Sequence, residues 1–162
     1  DFPSESIQPD AAFVGILRSM GVPLQQTDTK LKVEKAAKLN GVRVNLGQSP
    51  DLFPSLAALC ALSEGESELY GAPQLVHKES NRLIKMAEML RRFGRAVEIL
   101  PDGLKIVGPP PALSPEKIVI DCDHDHRLGF AAAVFKAAGF NAEIQGGQAV
   151  DKSFPQFWSS LG

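Results

Sequence analysis

The chain repeats itself, and the spacing of that repeat constrains its architecture more than any other feature. Ile16-Leu17-Arg18-Ser19-Met20-Gly21 recurs as Met89-Leu90-Arg91-Arg92-Phe93-Gly94, 73 residues later. The same offset of 73 carries Leu31-Lys32-Val33 onto Leu104-Lys105-Ile106. Asp51 falls on Asp125, Gly65 on Gly139 and Lys78 on Lys152, each at an offset of 74. Several independent anchors near one spacing indicate an internal duplication, in which each copy is a supersecondary unit that buries its apolar face against the next. The units run from about 1 to 77 and from about 78 to 151, with the start of a third at 152–162.

Periodicity fills in each unit. Phe13, Ile16, Leu17 and Met20 share one side of a helix over Gln8–Met20, and Gly21 is suited to its C-cap. Strands are predicted near 22–27 and 30–34, turning through Thr27-Asp28-Thr29, and near 42–46. An apolar helix over Asp51–Leu62 and a strand near 66–70 follow. The second copy predicts a helix near 80–93, strands near 95–100, 103–107 and 117–121, a helix near 125–138 and a strand near 141–145. Asp102-Gly103 is a hairpin turn, Gly108-Pro109-Pro110-Pro111 a stiff linker, and Phe154, Phe157 and Trp158 are expected to dock the last segment. Helices and strands mixed in this way define an α+β (mixed α/β) fold.

Composition narrows the function classes. A net charge of -2 with 22% charged and 44% hydrophobic residues is an ordinary globular balance. It gives no global electrostatic case for nucleic acid or an anionic membrane. No apolar run reaches the roughly 18 residues of a spanning helix, and two cysteines in apolar settings fit a reduced, cytoplasmic protein.

Four clusters could carry chemistry. His77-Lys78-Glu79-Ser80-Asn81-Arg82 straddles a helix start, where Ser80 or Glu79 could cap the helix and free N–H groups favour an anion. Lys78 and Arg82, four apart, could face one side. Asp121 to Arg127 lies between an apolar strand and an apolar helix. Asp123 or Asp125 is a natural N-cap there, and Arg127 in the first turn opposes the helix dipole, which points to a bound anion. Cys122, His124 and His126 alternate, but not at a zinc spacing, so no metal is expected. Asp51, in Pro50-Asp51-Leu52, could simply cap its helix. Lys152, in Lys152-Ser153-Phe154-Pro155, gains interest from its equivalence to Lys78.

Taken in order, these segments resemble the EPSP synthase (3-phosphoshikimate 1-carboxyvinyltransferase) family. Lys78-Glu79-Ser80-Asn81-Arg82 is similar to its Lys-Glu-Ser/Thr-Asp-Arg signature, and Asp125-His126-Arg127 to its Asp-His-Arg motif. Lys152-Ser153-Phe154-Pro155 with Phe157-Trp158 resembles its C-terminal Lys-Ser-Phe/Tyr-Pro-x-Phe-Trp. Asn81 stands where the signature has Asp, Val76 where an Arg is usual, and Leu128-Gly129-Phe130 where Met-Ala-Met is usual.

The resemblance implies repeated β-α-β-α-β-β units as in enolpyruvyl transferases, about two of them present, as part of a C-terminal domain. It implies transfer of the enolpyruvyl group of phosphoenolpyruvate to the 5-hydroxyl of shikimate 3-phosphate, with release of phosphate, in aromatic amino-acid biosynthesis. By resemblance Asp51 is the base near the hydroxyl, Glu79 the proton donor and Lys78 close to both. Arg82 and Arg127 bind the substrate carboxylate, Lys152 faces the phosphate, Gln74 contacts the shikimate phosphate and His126 supports its turn. No cofactor is implied. The expected partners are the two substrates and the enzyme's N-terminal domain, without which the chain is expected to be inactive. The competing reading is a stand-alone, non-catalytic module that binds a small phosphorylated acid or a protein. The sister UDP-N-acetylglucosamine enolpyruvyl transferases use a reactive loop cysteine, a setting that neither Cys60 nor Cys122 offers.

Overall fold

In the computed structural model, residues 6–108 and 110–161 are described. Pro109 of the proline linker lies outside them. A 3-10 turn, Pro9–Ala11, leads into α1 (Ala12–Ser19), followed by β1 (Leu24–Gln26), β2 (Leu31–Val33) and β3 (Arg43–Asn45). A second 3-10 turn, Pro50–Leu52, precedes α2 (Phe53–Ala61) and β4 (Ser67–Tyr70). The turn Pro73–His77 then leads to α3 (Arg82–Arg92), β5 (Ala96–Leu100), β6 (Gly103–Val107), β7 (Ile118–Asp121), α4 (His126–Ala137) and β8 (Ala142–Gln145). The turn Gly147–Lys152 and the short α5 (Phe157–Ser160) end the described chain.

The order helix, three strands, helix, strand therefore occurs twice. Left-handed glycines mark the same corners in both copies: Gly21 and Gly94 (φ +85° and +83°), Gly65 and Gly139 (+81° and +97°), and Gly71 and Gly146 (+81° and +72°). Only glycine takes up such φ values without steric cost.

The copies interlock through their strands. β3 and β4 pair in parallel, and β6 joins β4 antiparallel, with Ser67 opposite Ile106, Glu68 opposite Lys105 and Leu69 opposite Leu104. β5 completes the sheet in the order β3-β4-β6-β5. The hairpin of the second copy thus finishes the strand pair of the first. A Cβ at Gly103 would run into the Leu69 carbonyl, so glycine permits this approach. The Asp102 carboxylate accepts the Gly71 N–H at 2.9 Å and locks the hairpin to the end of β4. The hairpin β1–β2 and the parallel pair β7–β8 each stand as two-stranded sheets.

The two central helices, α2 and α4, pack against each other. Ala57, Ala58 and Ala61 of one, and Ala131 and Ala132 of the other, are fully buried. Small side chains let two helix backbones approach closely. Phe53, Leu56, Met86, Leu90, Leu128 and Phe135 fill the space around them. Phe135 stacks on Phe93 at 3.8 Å between ring centroids. This packing sets the N-terminal ends of α2, α3 and α4, where the charged clusters lie. Phe157 and Trp158 dock the final segment, the first edge-on to Phe130 at 4.7 Å and the second by an indole N–H donated to the Gly147 carbonyl at 3.0 Å. Phe154 instead remains largely exposed.

Candidate active site

Three segments distant in sequence meet at one arginine. Arg82, the first residue of α3, is only 1% exposed. Its Nε and Nη2 donate to the two oxygens of Asp125 at 2.9 and 3.2 Å, its Nη1 donates to Asp51 at 2.9 Å, and its Nη2 also reaches Glu79 at 2.6 Å. A planar guanidinium has five donors in a fixed fork, and four contacts of that fork end on carboxylates.

Asp125 is wholly buried and its acceptor capacity is filled. One oxygen takes the Arg127 backbone N–H at 2.9 Å as well as Arg82, and the other takes the Ser80 hydroxyl at 2.9 Å as well as Arg82. It is therefore both the N-cap of α4 and the anchor of Arg82. The backbone before it turns through two left-handed residues, Asp123 (φ +50°) and His124 (φ +56°). The Asp121 carboxylate accepts the Asp123 N–H at 2.9 Å and holds that turn. Non-glycine residues in this region are uncommon and concentrate at functional sites.

Asp51 lies in the 3-10 turn before α2 and, instead of capping the helix, turns its carboxylate outward to three cations. Arg82 donates to it at 2.9 Å, Arg127 at 3.2 Å, and the Lys78 ammonium stands at 3.4 Å. At 36% exposed, it faces the open side of the cluster. Burial pushes its carboxyl up, but Arg127, Lys78 and Arg82 outweigh that and hold it below the ordinary carboxylate value. Asp125 follows the same pattern: burial raises it, and the hydrogen bonds and charge of Arg82 bring it below the usual range. Glu79 is 54% exposed and touches only Arg82 within the cluster.

The structure brings together Asp51, Lys78, Glu79, Arg82 and Arg127, and it revises how they meet. Lys78 precedes the helix in extended conformation, so it and Arg82 converge on Asp51 without helical spacing. The cap of α3 is Asn81, which accepts the Ile84 N–H at 3.2 Å, while Ser80 turns inward to Asp125. The signature's departure at Asn81 thus keeps the capping function. Arg127 spends its charge on Asp51, and its Nε is buried without a partner. Gln74, half-buried in the turn after β4, and Lys152, exposed after β8, make no hydrogen bond or ion pair with the cluster. Ser80 and Asp125 also belong to the cluster; the sequence reads both as possible caps, and the signals for Asp125 are its equivalence to Asp51 and its place in Asp125-His126-Arg127.

The cluster lies on an open face, balanced by three acids (Asp51, Glu79, Asp125) and three bases (Lys78, Arg82, Arg127). Nothing among the described residues groups three or more His, Cys, Asp or Glu around a metal position. Both cysteines are buried, and burial pushes their thiols up, Cys60 to about 11 and Cys122 to about 12. A thiol in that state is a poor nucleophile. No helix among the described residues is long and apolar enough to cross a membrane.

Known proteins are similar to this chain along nearly its whole length. The sequence profile of EPSP synthase (3-phosphoshikimate 1-carboxyvinyltransferase) matches residues 1–161. The 3-phosphoshikimate 1-carboxyvinyltransferase of Syntrophobacter fumaroxidans is 37% identical over 157 residues, 97% of this chain and 37% of its own length. That of Halobacterium salinarum is 37% identical over 161 residues, 96% of this chain and 36% of its own. Among solved structures, an EPSP synthase from Acinetobacter baumannii is similar with a TM-score of 0.76 and 27% identity, over 98% of this chain and 40% of that one. The enolpyruvyl transferase NikO from Streptomyces tendae shares the fold, with a TM-score of 0.73 at 18% identity over 93% of this chain and 34% of that one. The chain spans a little over a third of the length of the curated relatives it matches. With the profile running across nearly all of its residues, the chain belongs to the EPSP synthase family.

Proposed function

We propose that this chain supplies the phosphoenolpyruvate- and proton-handling part of an EPSP synthase, as a partial C-terminal domain of about two repeated units. The observation that carries the reading is the outward-facing Asp51, held among Arg127, Lys78 and Arg82 beside an exposed Glu79. Enolpyruvyl transfer needs a base and an acid at one place. The acceptor hydroxyl adds to C2 of phosphoenolpyruvate, its proton passes to Asp51, and Glu79 donates a proton to the C3 methylene. The tetrahedral adduct then loses phosphate, and a proton leaves the C3 methyl group to restore the double bond. Lys78 lies against Asp51 and favours its ionised form.

The cations also suit the substrate's carboxylate. Arg127 is the more accessible arginine, 29% exposed against 1% for Arg82. Arg82 has one Nη1 proton left over from its three carboxylates. Asp51 occupies an anion position between them, so an arriving carboxylate competes with Asp51 for Arg127. Lys152 facing the phosphate and Gln74 the shikimate phosphate complete the reading by family likeness. The acceptor, shikimate 3-phosphate, is held mainly by the other domain of the enzyme, in the cytoplasm, and the open face of the cluster is where that domain would close. Proximity and orientation supply a large share of such a rate, so the isolated chain does not turn over.

The test is phosphate release by the complete polypeptide given phosphoenolpyruvate with shikimate 3-phosphate or with UDP-N-acetylglucosamine. Release with the first acceptor alone is expected. Release with the second alone, or with neither, overturns the reading.

A further inference from the structure

The turn that carries Lys152 is seated on the first turn of α4, which also carries Arg127. That helix begins at His126, and the Gly129 N–H donates to the Asp125 carbonyl at 3.1 Å. Gly129 stands where the family's Met-Ala-Met has its alanine. A Cβ placed on Gly129 would lie 2.6 Å from Val150 Cγ2, and Val150 is fully buried. Carbon atoms in contact keep about 3.5–4.0 Å apart, so Val150 fills a notch that glycine leaves open. A valine is stiff at χ1, and it cannot swing aside freely.

Val150 is also the pivot of the Lys152 turn. Its carbonyl accepts the N–H groups of Ser153 and Phe154, both at 2.9 Å, and Lys152 lies in the loop so closed. Gly146, left-handed at φ +72°, opens the turn, and the Trp158 indole N–H holds the carbonyl of its first residue, Gly147, at 3.0 Å. Beyond Lys152 the chain returns to α4, where Phe157 lies edge-on to Phe130 at 4.7 Å. Lys152 is thus held on both sides by α4: through Val150 on Gly129 before it and Phe157 on Phe130 after it. The Lys152 side chain is exposed, so its place is set through the backbone.

We propose that Gly129 is a positioning residue: by admitting Val150 to the first turn of α4, it fixes the separation between Arg127 and Lys152. Phosphoenolpyruvate carries its carboxylate and its phosphate on one carbon, so two cations at a set separation can grip both groups. The inference rests on the proposed function, which gives Arg127 the carboxylate and Lys152 the phosphate. Alanine at position 129 would drive Val150 back by roughly 1 Å and carry Lys152 with it, away from α4. A misplacement of that size is enough to lose an anchoring contact.

Steady-state kinetics of the complete polypeptide tests it. In Gly129→Ala the KM for phosphoenolpyruvate should rise about tenfold, the size of a lost hydrogen bond to a charged group, while the KM for shikimate 3-phosphate stays unchanged. Val150→Ala, which loosens the seat without crowding the helix, should raise the KM for phosphoenolpyruvate in the same selective way. Gly129→Ala/Val150→Ala should restore it, because the new methyl fills the space that the valine gives up. In a Lys152→Ala background neither single substitution should add a further rise, since the residue they displace is gone. Alanine is the better helix former, and Trp158, the single tryptophan, reports on the turn through its bond to Gly147: its emission should shift in Gly129→Ala and return in the double variant. A KM for phosphoenolpyruvate unmoved by both single substitutions, or raised equally with and without Lys152, overturns the proposal. If Lys152→Ala itself leaves that KM unchanged, the phosphate is not held by Lys152, and the functional reading of that residue falls together with the inference drawn from it.

Discussion

Asp51 and Asp125 occupy the same place in the two copies of the repeat, 74 residues apart, and both bind Arg82. There the likeness ends. Asp125 is wholly buried with every acceptor position filled, whereas Asp51 is 36% exposed among three cations. The cause lies in the first helix of each copy. In the second copy that helix begins with Arg82, two residues after Ser80, and both bind the acid of their own unit. In the first copy the positions 73 residues earlier are Ile7 and Pro9, which bring neither a hydroxyl nor a charge. Asp51 therefore has no partner in its own unit and reaches across to the arginine of the next. An arginine in one copy, with a proline at the matching position of the other, thus leaves one acid enclosed and the other open to solvent.

The sharpest way to break that comparison is to remove each acid. Asp125→Ala leaves the buried guanidinium of Arg82 without its bidentate partner and removes the cap of α4. The expected cost is about 3–5 kcal/mol, or roughly 10 °C in Tm for a domain of this size. Asp51→Ala, on the exposed side, should cost about 1 kcal/mol or less. Denaturant unfolding of both variants of the chain checks this, and equal losses would erase the distinction. The next effect is on rate. In the complete polypeptide, Asp51→Asn should lower kcat by about 10²–10⁴, as expected for a lost general base, with little change in Tm. A fall confined to KM would assign Asp51 to binding instead.

Much of this was legible. The periodicities of the two apolar helices, the Asp102-Gly103 turn and the paired glycines at the corners are local signals, and they sit where the structure has them. The interlocking of copies was not legible, because which strand β6 pairs with depends on contacts far apart in sequence. Nor was the state of Asp125. A carboxylate before an apolar helix reads as a cap, and it is one. Only the fold shows that Ser80 and Arg82 arrive on its other side. Lys78 and Arg82 were expected to share a helix face, yet the helix begins at Arg82. Their convergence is set by the extended chain at Lys78 and by the position of Asp51.

Protonation separates the two acids less strongly than removal does. Both carboxyls are held below their ordinary value, Asp51 by Arg127, Lys78 and Arg82, and Asp125 by Arg82 and the other hydrogen bonds it accepts. A depressed carboxyl stabilises the fold fully above its unfolded pKa, about 4, and that contribution is lost as pH falls through the lower folded value. Chemical denaturation of the chain between neutral and acid pH should therefore show stability falling on the acid side. Asp125→Asn should flatten that limb visibly. Asp51→Asn should flatten it less, because solvent screens a carboxylate that is a third exposed. An identical flattening by both would place the two acids in equivalent environments.

The smallest effect runs opposite to ordinary expectation for a site residue. Asp51, bound to Arg127 and Lys78, competes with any arriving carboxylate for them. Asp51→Asn removes that competitor and leaves the cations in place. The isolated chain carrying this substitution should bind phosphoenolpyruvate about tenfold more tightly than the unaltered chain, a difference of about 1.4 kcal/mol, measured by calorimetry at low ionic strength. Raising the salt should erase most of the gain, since the contacts lie on an open, screened face. Asp125→Asn makes the control. It lies behind Arg82, away from the open side, and its loss frees no cation toward solvent, so it should not tighten binding. Tighter binding with Asp51→Asn alone means that substrate displaces the base from its arginines. On the proposed reading, turning those charges to the substrate carboxylate would relieve what holds the Asp51 carboxyl down and make it a stronger base. Unchanged or weaker binding means that Asp51 holds the cations in position and does not compete with the substrate for them.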